Sequence, residues 1–147
     1  MKKIITLLLF SVCLLPAMAQ SPSWKSIVQE FMVGFDEEAE EIEDEFAEMG
    51  IEVKVQSGYN PVGNEIILEV RFLNEMIYNI FDTNAINESK RSMLMEYKDS
   101  YRSDTDFAYF IKEMKKNNSK FKISYSYEKN GKVSAKSFTI TPAEIMN

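Results

Sequence analysis

A chain of 147 residues with 17 basic and 23 acidic side chains, no histidine and a single cysteine is closed to most catalytic inventories. Without histidine there are no Ser-His-Asp or Cys-His sites and few zinc, copper or haem sites, and one cysteine builds no disulfide framework. A formal charge of −6 argues against nucleic acid or an anionic membrane as the main partner.

The first residues have the three-part layout of an export signal. Lys2 and Lys3 precede an apolar run from Ile4 to Leu15, and Pro16 introduces Ala17-Met18-Ala19 ahead of Gln20. Cleavage is expected after Ala19, giving a signal peptide over 1–19, a single domain over 20–147 and a periplasmic or extracellular location. The run is shorter than the roughly 20 apolar residues of a spanning helix, so no stable membrane insertion is expected after cleavage. Cys13 follows Val12, where lipid attachment needs a small residue, and Leu14-Leu15 continue the apolar run; a lipoprotein is not expected. Removing the signal discards two lysines and no acid, and the charge falls to −8.

That charge is unevenly placed. Glu30 to Glu88 holds sixteen acidic residues against Lys54 and Arg71, whereas Ser89 to Asn147 holds twelve basic against seven acidic. Halves of opposite sign attract, within one molecule or between neighbours.

Ser21-Pro22 has the form of a helix start, with Ser as cap and Pro at the first helical position. Trp24, Ile27, Val28, Phe31, Phe35, Ala39, Ile42, Phe46 and Met49 then recur in steps of three and four, which predicts a long helix ending before a left-handed Gly50. Ile51, Val53 and Val55 alternate with polar residues as in a half-buried strand. Residues Gly58-Tyr59-Asn60-Pro61-Val62-Gly63 are turn formers and read as a loop, and Ile66, Leu68, Val70 and Phe72 share one face of a second strand. From Asn74 to Arg102 the period is helical, through Met76, Ile77, Ile80, Phe81, Met93, Leu94, Tyr97 and Tyr101, with a potential break at Asp82-Thr83-Asn84. Asp104 or Thr105 caps a further helix to Lys116.

Asn130-Gly131 predicts a type I′ hairpin that sets Phe121 opposite Ile140, Ile123 opposite Phe138, Tyr125 opposite Lys136 and Tyr127 opposite Ser134. Thr141-Pro142-Ala143-Glu144 has the form of a capping box over a stub of helix. The order is α-β-β-α-(α)-β-β. It predicts an α+β fold: a four-stranded antiparallel sheet of two hairpins, with the long first helix and one or two central helices on one face.

Candidate chemistry is confined to carboxylates and tyrosines. Asp36, Glu37, Glu38, Glu40, Glu41, Glu43, Asp44, Glu45 and Glu48 crowd one helix, where pairs such as Glu37/Glu41 and Glu40/Asp44 repel at i,i+4. Lys112, Lys115, Lys116, Lys120 and Lys122 are the expected internal compensation. Asp36, Glu37, Glu40, Glu41, Asp44 and Glu45, with Tyr59 in its loop, form the candidate interaction surface. No catalytic residue, cofactor or metal ligand is predicted, since the acidic spacing is not that of a calcium loop. The reading that follows is a non-enzymatic binding module with a protein partner or self-association. The alternatives are a carboxylate-dependent hydrolase of an envelope or extracellular polymer, and a structural homodimer.

Overall fold

The computed structural model describes residues 22–73 and 83–147. The expected export signal and the expected helical pattern over 74–82 lie outside the described residues.

Helix α1 runs from Trp24 to Glu48. Its cap is Ser23, whose hydroxyl accepts the Ser26 N–H at 3.2 Å, so the helix starts after the expected Ser21-Pro22. Ile27, Val28, Phe31, Phe35, Ala39 and Ile42 form its buried stripe. Gly50, at φ 74°, ends it: Gly50 donates to the Ala47 carbonyl and Ile51 to the Phe46 carbonyl, both at 2.9 Å.

Strands β1 (Val53–Asn60) and β2 (Glu65–Phe72) pair antiparallel, Val53 against Phe72 and Asn60 against Glu65. Gly58, Tyr59 and Asn60 are therefore strand, and the expected six-residue loop contracts to a turn at 61–64. Pairing with Glu65, Ile66 and Ile67 outweighs the weak strand preference of Gly and Asn, and the Asn60 side chain accepts the Val62 N–H at 3.1 Å to start the turn.

Helix α2 (Thr83–Ser103) leads into α3 (Thr105–Lys116). Asp104 caps α3 through bonds from the Asp106 and Phe107 amides at 2.8 and 3.0 Å. Strands β3 (Lys120–Lys129) and β4 (Lys132–Ile140) follow, joined by Asn130 and Gly131 at φ 54° and 72°, and the register is the expected one. The one-and-a-half-turn α4 (Pro142–Met146) carries the capping box between Thr141 and Glu144.

The strand order is β1-β2-β3-β4, and β2 and β3 run parallel. The sheet is mixed, which corrects the purely antiparallel expectation. Two hairpins leave the direction of their shared seam open, and a connection long enough to hold helices permits the parallel choice. Asn64 fixes it. Its carbonyl accepts the Ser119 hydroxyl at 2.8 Å and the Lys120 N–H at 3.3 Å, while its side-chain amide donates to the Asn117 carbonyl. The first residue of β3 is thereby held beside the first residue of β2, Glu65 facing Lys120.

Val53, Val55, Ile66, Leu68, Val70, Phe72, Phe121, Ile123 and Ile140 are buried on one side of the sheet beneath the helices. Aromatic rings fill the centre: Phe31 stacks on Phe110 with centroids 4.6 Å apart, and Tyr97 lies 5.2 Å from Phe121. Each such side chain, fully buried, contributes about 1.5–3 kcal/mol. The opposite face is polar, with Gln56 bonded to Glu69 at 2.8 Å and Arg71 to Glu128 at 3.0 Å.

Candidate functional site

The acidic run of α1 divides into two arcs. Residues seven apart on a helix return to the same side, and residues two apart on a strand point the same way. Asp36 and Glu43 therefore align with Ser57 and Val55. Asp36 Oδ1 accepts the Ser57 N–H at 3.1 Å and the Ser57 hydroxyl at 2.8 Å; Glu43 Oε1 accepts the Val55 N–H at 2.8 Å. Lys54 completes the contact, its Nζ 3.1 Å from Glu43. Because β1 is an edge of the sheet, these carboxylates occupy backbone donors that no strand pairs with.

The second arc faces water. Glu37, Glu40, Glu41, Asp44 and Glu48 are exposed and Glu45 is half-buried. Of the sequence-predicted surface, Glu37, Glu40, Glu41 and Asp44 thus stand together as an outward ridge. Asp36 is exposed too, but its carboxylate is bonded to the strand edge at Ser57. Glu43, which pattern reading did not single out from the run, has the same task, and the sequence holds no signal for it, since Glu37 and Asp44 stand seven apart as well.

Tyr59 is not part of the ridge. It lies on the helix-facing side of β1, where its hydroxyl accepts from Trp24 Nε1 at 3.3 Å and donates to Asn64 Oδ1 at 2.5 Å. Its position ties the start of α1 to the turn that sets the parallel seam. Trp24 was legible only as the start of the helical stripe, and Asn64 was not singled out in the sequence.

Of the five lysines expected to offset the ridge, two make ion pairs elsewhere. Lys116 pairs with Glu113 of its own helix and Lys120 with Glu65 at 3.3 Å, which holds the Glu65 carboxyl below the usual range. Lys112 and Lys115 join Tyr109, Glu113 and Lys116 around a shallow depression on α3.

Two neighbouring ionisable groups stand apart from these. Glu96 Oε2 and the Tyr97 hydroxyl are buried, with no hydrogen-bond partner among the described residues. Burial pushes the Glu96 carboxyl up and the Tyr97 phenol well up. A neighbouring acid held low would make a general acid and base of the pair. The two carboxyls that are held low have structural partners: Glu65 through Lys120, and Glu144, where bonds from Thr141 and Lys90 outweigh burial. Among the described residues no three acidic side chains form a group suited to a metal ion, and no helix is long and apolar enough to cross a membrane.

No family model, curated protein or solved structure matches the chain.

Proposed function

We propose that the chain is an exported, non-enzymatic binding module that engages the basic surface of a protein partner through the outer face of α1. One observation carries this reading: Glu37, Glu40, Glu41 and Asp44 face water while Asp36 and Glu43 of the same helix hold the sheet edge. The outer carboxylates give α1 nothing in exchange for their mutual repulsion, which costs a few tenths of a kcal/mol per i,i+4 pair. A field of one sign along a rigid helix attracts a basic partner and speeds encounter.

The test is capture of partners from envelope proteins at low ionic strength, with the chain and with Glu37→Gln/Glu40→Gln/Glu41→Gln/Asp44→Asn as paired baits. The expected result is a partner retained by the chain, lost with the variant and released by salt. Capture by both baits alike would remove α1 from the reading. The hydrolase alternative has less support, since it needs two carboxylates converging on one bond.

A further inference from the structure

The two edges of the sheet are finished differently. On β1, Asp36 and Glu43 occupy the outward amides of Ser57 and Val55. On β4, the other edge, Lys132 to Ser137 are exposed, Val133 at 62 %, and no strand lies beyond it among the described residues. The hairpin decides which backbone groups point outward. In a two-residue hairpin the flanking pair, here Lys129 and Lys132, exchanges both N–H···O bonds, and bonded pairs alternate from there. Lys132, Ser134, Lys136 and Phe138 thus bond to β3, whereas Val133, Ala135, Ser137 and Thr139 turn their N–H and C=O groups away from the sheet.

We infer that β4 is a docking edge for an extended acidic segment of a partner, which adds a further strand beside Val133–Thr139. The edge is long and unbroken by proline, and the side chains at its outward positions are Val133, Ala135, Ser137 and Thr139, which leave the backbone accessible. The lysines select the occupant. Lys132 and Lys136 lie on the helix-facing side, where every second residue of an added strand comes beside them. A second copy is disfavoured by the same pair: two-fold antiparallel registers centred on Ala135, Lys136 or Ser137 bring Lys136 opposite or diagonal to its own copy. Glutamates at alternate positions meet these cations instead. This edge is separate from the outer face of α1, and neither reading depends on the other.

The probe is a fluorescein-labelled octapeptide alternating Glu with Val, capped at both ends, with a Lys-Val octapeptide as its opposite. Anisotropy is expected to show saturable binding of the Glu peptide and at least about tenfold weaker binding of the Lys peptide. Amide exchange is expected to slow at Val133, Ala135, Ser137 and Thr139 and to stay unchanged at their even-numbered neighbours. Ser137→Pro removes one outward N–H without touching a bond to β3, and should weaken binding about fivefold to tenfold. Should that variant unfold, Lys132→Glu/Lys136→Glu serves instead and should exchange the preference to the Lys peptide. Equal binding of both peptides, absence of binding, or protection that spares the outward amides would overturn the inference. Concentration-dependent protection of those amides without peptide would also overturn it, in favour of self-pairing.

Discussion

The Tyr59 hydroxyl sits between Trp24 Nε1 and Asn64 Oδ1, and Tyr59→Phe leaves both without it. Removing a half-buried bridge of this kind costs about 1–2 kcal/mol, measurable as a lower midpoint in urea unfolding, and an unchanged midpoint would show the bridge to be idle. Turn-forming neighbours made Tyr59 read as an exposed loop aromatic; its burial comes from strand pairing and from Trp24, a residue far away in sequence. Glu96 makes a second test. Its carboxyl is raised by burial, so the native state binds the proton more tightly than the unfolded chain does, and stability falls as pH rises through that interval. Glu96→Gln should raise stability at neutral pH, by less than about 1 kcal/mol because the group is partly solvated, and the gain should vanish near about pH 4. A gain that persists in acid would assign the effect to packing and not to charge.

At the level of elements, periodicity located the described helices and both hairpins, because each is set by residues near in sequence. The Asn130-Gly131 turn even fixed a register that burial of Phe121, Ile123 and Ile140 repeats. The parallel seam was not legible, since it depends on Asn64 meeting Asn117, Ser119 and Lys120 across the α3–β3 connection. The closing of the β1 edge was hidden for the same reason: Asp36 and Glu43 look like any other carboxylates of the run until β1 lies beside them. Asp36→Asn/Glu43→Gln keeps shape but weakens the charge-assisted bonds to Ser57 and Val55. The expected outcome is faster hydrogen exchange at those two amides, with exchange in the β2–β3 seam unchanged. Equal rates in both proteins would mean that water serves the edge as well.

For the whole molecule, the α+β architecture and the existence of an acidic surface followed from composition and pattern, while the division of that surface did not. Ten carboxylates on one helix would be a burden on folding if all were idle. Two of them offset the burden by occupying two outward amides of the β1 edge, and the ridge that remains faces water. The separation predicts opposite responses to charge removal. The deciding measurement is unfolding free energy at low ionic strength for the chain, for Asp36→Ala/Glu43→Ala and for Glu37→Gln/Glu40→Gln/Glu41→Gln/Asp44→Asn. The edge variant should lose about 2–4 kcal/mol, from two charge-assisted bonds to backbone amides. The ridge variant should equal or exceed the parent, by up to about 1 kcal/mol. A ridge variant less stable than the edge variant would contradict the account.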